Sequence, residues 1–443
     1  MKSYEKYKPC GSDWTGKIPE HWDSKRLKYV AKINPSKPPF QVDGSADDEG
    51  VFLPMEKVSE HGQINQELRK SIHEVSSGFT CFAKGDVIVA KITPCFENGK
   101  GALLSDLETD FGYGSTEFHV LRANEAVSPI LLFYITKTHP FMKNGEAFMS
   151  GSAGQKRVPS SFVENFETGV PPKEEQTAIT NFLDEKTAQM DTLIANKQKL
   201  IELLKEERTA IINHAVTKGI NLKVKLKPSG IEWLGDIPEH WEVKKLKYVV
   251  SKIGSGITPT GGASVYQNEG IPLLRSQNIY NDGLKLDDVA YISDDIDEQM
   301  SNSRIEDDDV LLNITGASIG RCFYVPKDFG KGNVNQHVCI IRPIQNLLRT
   351  KFLHSIIVSG YGQTLIDTCQ TGANREGLNF QQIKSFDLPI PDIQEQRQIV
   401  AFIETLTSRI DATISQIEKE IDLLQEYRTA LISEVVTGKV KVI

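Results

Sequence analysis

The residue types that usually carry chemistry are present in this chain, but only in incomplete sets. The glycine-rich run "GITPTGGAS" from Gly256 has the composition of a phosphate cradle. It lacks the lysine that would reach a phosphate, so it reads as a surface loop. "KPPF", Lys37 to Phe40, sets two prolines before an aromatic ring. A loop of that kind holds a target amine through a neighbouring amide or carboxylate, and a lysine stands in that place here. Asp392 belongs to a "PD" pair without the (Asp/Glu)-x-Lys partner of a nuclease. At a helix start, a carboxylate is a natural cap. The nine histidines show no paired ligand spacing,. His21 and His240 each precede a tryptophan, Trp22 and Trp241, and read as structural. The six cysteines (Cys10, Cys81, Cys95, Cys322, Cys339, Cys369) contain no CxxC pair. That argues against a zinc ribbon and a disulfide framework. Reduced thiols in a cytosolic protein are the simplest expectation. No active site assembles from these pieces.

The elements that would position any site occur twice. "IPEHWDSKRLKYV" starts at Ile18 and "IPEHWEVKKLKYV" at Ile237. Downstream, Gln176 matches Gln396, and Arg208-Thr209-Ala210 matches Arg428-Thr429-Ala430. Two distant anchors keep nearly the same offset, so the duplication spans the whole chain. The downstream segments predict long helices of about ten turns each. The first carries a stripe at Ile179, Leu183, Lys186, Met190, Leu193, Lys197, Leu200, Leu204 and Ile211. The second carries one at Ile399, Ile403, Leu406, Ile410, Thr413, Ile417, Ile421, Leu424 and Leu431. Such heptad-like stripes predict that the helices pack on each other. Pro171-Pro172 and Pro391 punctuate their starts, and Gly219 and Gly438 their ends,.

Between the anchors the halves diverge. Residues 31–165 and 250–385 hold strand-like runs, "GDVIVAKI" and "DDVLLNI", "EFHVLRA" and "HVCIIRP",. The expected fold is α+β, with two mixed α/β domains and two long helices in a pseudo-two-fold repeat. The boundaries read as 1–172, 173–218, 219–391 and 392–443. No apolar run approaches the ~20 residues of a membrane helix, and the start has no apolar signal core. The net charge of −8 argues against a broad electrostatic grip on nucleic acid, but leaves room for local basic surfaces,.

Three stretches carry a family resemblance: "SGIEWLGDIPEHW", "TGANREGLN" and "LPIPDIQEQRQIVAFI". Together they resemble the specificity subunit of type I restriction–modification enzymes, over essentially the whole chain. In the first half "GSAGQKRVP" stands where the second has "TGANREGLN". The resemblance implies that each globule is a target recognition domain reading one half of a split site in double-stranded DNA. It implies an antiparallel coiled coil of the two helices, which sets the spacer and docks two modification subunits. Restriction subunits would complete the complex in the cytoplasm. S-adenosylmethionine, ATP and magnesium would belong to those partners, leaving this chain without cofactor, metal or catalytic residue. The alternative is a coiled-coil adaptor that does not bind DNA.

Under that resemblance, the candidates for DNA contact are residues able to read base edges. In the first domain they are Lys91, Thr93, Asn98, Lys100, Ser115, Thr116, Gln155, Lys156 and Arg157. In the second they are Arg275, Ser276, Gln277, Asn278, Asn313, Thr315, Ser318, Arg321, Asn335, Gln336, Asn374 and Arg375. They fall in matching places of the two copies, after "DVIVAKI" and "DVLLNI" and before "VLRA" and "CIIRP".

Overall fold

The structure, a computed structural model, describes residues 2–11, 15–35, 49–75, 77–152, 154–370 and 377–442. The "KPPF" loop and the candidates Asn374 and Arg375 lie outside the described residues. The chain divides into two units, Met1–Lys197 with Glu418–Ile443, and Gln198–Ile417.

Each unit is built on the same plan. In the first, a four-stranded antiparallel sheet has the order Ala31–Ile33, Phe118–Ala123, Val87–Ala90, Gly101–Leu103. In the second the order is Val250–Ser255, Val338–Pro343, Val310–Asn313, Cys322–Tyr324. The predicted apolar runs form the two central strands, and Val87–Ala90 and Val310–Asn313 are buried throughout. An uninterrupted apolar run suits a strand covered on both faces. Each unit has a second sheet, of four strands in the first and three in the second, with one parallel pair: Glu49–Leu53 against Phe111–Gly114, and Ile271–Leu274 against Asn333–Val334. A buried carboxylate fixes the start of each central strand. Asp86 accepts from the Ala83 amide at 2.8 Å and from Arg122 at 2.7 Å. Asp309 does the same with the Glu306 amide, 2.8 Å, and Arg342, 2.7 Å. In both cases the arginine supplies charge-assisted bonds that offset part of the cost of burial.

The two long helices run Lys173–Lys218 and Ile393–Val436. In the first unit their segments pair antiparallel, since Asp191 meets Arg428 while Lys197 meets Glu420. In the second unit Arg208 meets Asp411. The buried seam follows alternating steps of three and four, as coiled-coil packing requires. Its phase differs from the expected stripe. Thr187, Ile194 and Ile201 are buried in place of Lys186, Leu193 and Leu200, and Thr407 and Ile414 in place of Leu406 and Thr413. Leu193 is 43% exposed and Leu200 45%. Adjacent apolar residues at 193–194 and 200–201 allow two stripes of the same period, and the β-branched member packs inward.

The repeated Ile-Pro-Glu-His-Trp frame is where these parts join. Trp22 and Trp241 are fully buried. In the first unit His21 lies 2.8 Å from Glu175, at the start of the first long helix. Gly438, with φ +72°, ends the second long helix against Pro19 and Trp22. In the second unit His240 lies 2.7 Å from Glu395, and Gly219, φ +76°, ends the first long helix against Trp241 and Pro238. A left-handed residue at a helix end favours glycine. Each frame therefore receives the start of one helix and the end of the other.

Candidate nucleic-acid interface

In both units the same backbone hydrogen bonds draw three loops together. In the first, the Lys91 N–H donates to the Glu117 carbonyl at 2.9 Å, and Val158 N–H to the Lys91 carbonyl at 2.8 Å. Thr93 N–H donates to the Lys156 carbonyl at 3.0 Å. In the second, Ile314 N–H donates to His337 at 3.0 Å, and Leu378 N–H to Ile314 at 2.9 Å. The turn before the long strand is closed alike: Glu117 N–H donates to Ser115 Oγ, 3.2 Å, and His337 N–H to Asn335 Oδ1, 3.1 Å. In the first unit the loops after the central strand, before its neighbour and leading to Val158 thus share one edge, and in the second Leu378 meets the corresponding two loops.

This edge gathers most of the expected residues. In the first domain it holds Lys91, Thr93, Ser115, Thr116, Gln155, Lys156 and Arg157, of which Thr116, Gln155 and Lys156 are exposed. Arg157 grips the Glu117 carboxylate at 2.8 and 3.0 Å. That guanidinium holds the Glu117 carboxyl below its usual range, against the opposing effect of partial burial,. In the second domain Thr315 and Gln336 lie on either side of His337, 2.6 Å from Nδ1 and 2.9 Å from Nε2. Ser276, Ser318 and Arg321 gather round Asn313, whose amide donates to the Ser276 carbonyl at 2.9 Å and Ser318 Oγ at 3.2 Å. The Arg321 carbonyl receives the Asn313 N–H at 2.8 Å. Gln277 donates to Asp288 at 2.8 Å, and Arg275 to the Asp288 carbonyl at 3.0 Å.

Five expected residues are placed differently. Asn278, Asn313 and Asn335 are buried. Asn278 bonds the Lys285 carbonyl and the Arg275 amide, so it shapes a turn. Asn313 and Asn335 likewise fix loops, the usual use of asparagine beside backbone groups. Asn98 and Lys100 sit on the turn following Pro94, where the Lys100 carbonyl receives the Ala90 N–H at 2.9 Å at the end of the central strand. Lys100 reaches the Met55 carbonyl at 3.5 Å. Asn98 lines a recess of about 350 Å³ with His61, Lys137 and Arg428. The Lys137 ammonium there donates to the carbonyls of Glu60, Gly99 and Gly101. Burial, with Arg428 nearby, lowers it to about 7.

Sequence reasoning missed Glu117 and His337, which occupy equivalent points of the two edges. It also missed Tyr280 and Lys285 beside Arg321. A search restricted to basic, amide and hydroxyl side chains in the matching loops passes over a carboxylate, an imidazole and a tyrosine, and Lys285 lies in a different loop. Among the described residues no cluster of histidine, cysteine and carboxylate groups is placed to hold a metal, and no helix is long and apolar enough to cross a membrane.

The family described as type I restriction modification DNA specificity domain matches residues 19–203 and again 238–423. The EcoAI specificity subunit of Escherichia coli is 38% identical over 197 residues, which cover 42% of this chain and 33% of that one. The EcoEI subunit gives 39%, so the matched stretch spans about a third of these two relatives. The MjaVIII specificity subunit of Methanocaldococcus jannaschii is 24% identical and aligns over 96% of this chain and 94% of its own. A structure described under complex assembly and conformational transition of the type I R-M system shares the fold at TM-score 0.73. It has 17% identity, over 96% of this chain and 99% of that one. An HsdS subunit from Thermoanaerobacter tengcongensis gives TM-score 0.54 at 17% identity, over 96% and 98%. Both halves match a DNA specificity family rather than an adaptor: the chain belongs to the type I restriction modification DNA specificity domain family, and carries that domain twice.

Proposed function

We propose that the chain is the sequence-reading subunit of a type I restriction–modification complex. Each domain reads one half of a bipartite target in duplex DNA. The observation that carries this reading is the pair of edge backbone hydrogen bonds repeated in both domains, Lys91 to Glu117 and Val158 to Lys91 in one, Ile314 to His337 and Leu378 to Ile314 in the other, with different side chains around them. A repeated frame gives both domains the same way of meeting a duplex; Glu117 and Arg157 against His337, Thr315 and Gln336 give them different bases to accept. Polar groups of this kind discriminate base pairs in the major groove, while phosphate contacts fix register.

The helical pair holds the domains and sets the spacer. Its approximate two-fold repeat suits two similar modification subunits, and the half-exposed His21 and His240 mark equivalent surfaces for them. Methyl donor, ATP and magnesium act on those subunits and on restriction subunits, and this chain supplies no catalytic group. The complex works in the cytoplasm, and partner surfaces compensate for the acidic net charge on approach to DNA.

The test is a genome-wide map of methylated bases in cells carrying this chain with its modification subunits. A split motif that disappears when this chain is removed is the expected result. Methylation unchanged by its removal would overturn the reading.

A further inference from the structure

In the second domain, Tyr280 ends the strand Ile279–Tyr280 of a hairpin with Gly283–Leu284. Lys285 Nζ lies 4.0 Å from the centre of its ring and Arg321 Cζ 5.0 Å. The arrangement is built in. Asn281 Oδ1 accepts the Cys322 N–H at 3.0 Å, tying the hairpin to the main sheet. Lys285 N–H donates to the Asn278 carbonyl at 2.8 Å. Arg321 and Lys285 are both exposed. Through its carbonyl Arg321 is bonded to Asn313, whose side chain holds Ser276 and Ser318. The ring thus stands beside the candidate interface.

Two cations held on one ring repel each other, and folding alone does not ask for the pair. Among the described residues neither Lys285 nor Arg321 has a carboxylate within 4.0 Å, whereas Arg122, Arg157, Arg304 and Arg342 each do. The first domain repeats the backbone without the chemistry. There Asn65 N–H donates to the Lys57 carbonyl at 2.9 Å and Ala90 N–H to the Lys100 carbonyl at 2.9 Å. These bonds put Asn65 where the second domain has Lys285, and Lys100 where it has Arg321. Ser59 follows Val58 in the matching hairpin, as Tyr280 follows Ile279. The first domain has no ring there, and its lysine amine is turned to a carbonyl.

We propose that Tyr280, Lys285 and Arg321 form a clamp for two phosphates of the DNA backbone, present in the second domain only. This rests on the reading of the chain as a DNA-recognition subunit. The ring aligns two cations at a fixed separation, and phosphate oxygens neutralise both. Such contacts position a duplex without reading its sequence.

The test compares the full chain with K285A/R321A, each assembled with its modification subunits, on duplexes with and without the methylated motif. The slope of log affinity against log salt should fall by about 1.8, at ~0.9 per phosphate. Between 50 and 200 mM salt the wild-type complex should therefore lose about 12-fold more affinity than the variant, by the same relation. Both duplexes should weaken by the same factor. Y280F should behave as wild type, because the ring is kept; Y280A should weaken both duplexes with an intermediate slope. An unchanged slope in a folded K285A/R321A complex would overturn the clamp, as would weakening confined to the motif duplex. If the wild-type complex itself shows no motif preference, the recognition reading fails instead, and the two failures are distinct.

Discussion

Arg428 lies 3.2 Å from Asp191 across the two long helices. In the other unit Arg208 lies 3.1 Å from Asp411, the same pair with the helices exchanged. The pairs differ in exposure. The Arg428 side chain is 12% exposed and Arg208 34%. Truncating a shielded arginine loses the packing of its stem as well as its ion pair, whereas an exposed one loses little of either. Arg428→Ala should therefore cost about 1–3 kcal/mol of stability, and Arg208→Ala about 0–1 kcal/mol. Chemical denaturation of the two full-length variants measures both. Equal losses would show that burial does not separate the pairs.

His354 packs edge-on against Phe323 and Tyr324, with ring centres 5.3 and 5.5 Å away. Burial lowers its imidazole to about 4. In the unfolded chain a histidine titrates near ~6.5. Between those values the unfolded state binds a proton that the folded state refuses. Stability therefore falls as pH drops from about 6.5 to about 4, by at most ~1.4 kcal/mol per unit, and levels off below. His354→Phe should flatten this part of the profile relative to wild type. Urea midpoints at pH 7, 6 and 5 would decide it; parallel profiles for both proteins would refute the assignment.

The exposed edge was legible as loops but not as contacts. "DVIVAKI" and "DVLLNI" gave central strands because an unbroken apolar run has few other homes. The same logic placed the loops that follow them. It did not tell Asn313, turned inward to Ser276, from Gln336, which is exposed. That choice depends on which backbone groups three separate loops leave unpaired. The helical seam shows a similar boundary. Its period was readable, but its phase turned on Ile194 and Ile201 against Leu193 and Leu200, which only a partner helix can select.

Arg157 is committed to Glu117 on the first domain's edge. Glu117→Gln removes the charge that holds it and frees the guanidinium to face DNA. Binding to any duplex should strengthen, with a salt slope steeper by up to about 0.9. Filter binding across a salt series with the assembled complex measures this. A slope unchanged from wild type would place Arg157 away from the duplex.

Exchanging residues 31–165 for the matching segment of a related subunit should change one half of the methylated site and leave the other intact. The strands at the join, Asp23–Arg26 and Glu167–Val170, stay outside the exchange, so the frame around Trp22 is preserved. Methylome mapping reads the result directly. A change in both halves would show that the domains do not read independently.

The spacer between the half-sites should follow the length of the helical pair. Asn196 is an exposed position on the first long helix. The pairings of Lys197 with Glu420 and Asp191 with Arg428 put the facing level of the second helix at Ile421. Four residues inserted after each position add about one turn, ~6 Å. One base-pair step is ~3.4 Å, so the linear match is one or two base pairs. Twist sets a second condition. At ~10–10.5 base pairs per turn, two added steps rotate the far half-site by roughly 70°. Four residues do not match a seven-residue repeat either, and local unwinding of the pair absorbs part of the change. The joint solution is a spacer longer by one or two base pairs, with both half-site sequences retained. Methylated positions across a genome would show it. An active insertion variant that keeps the original spacer would mean that the helices hold the domains without measuring the DNA.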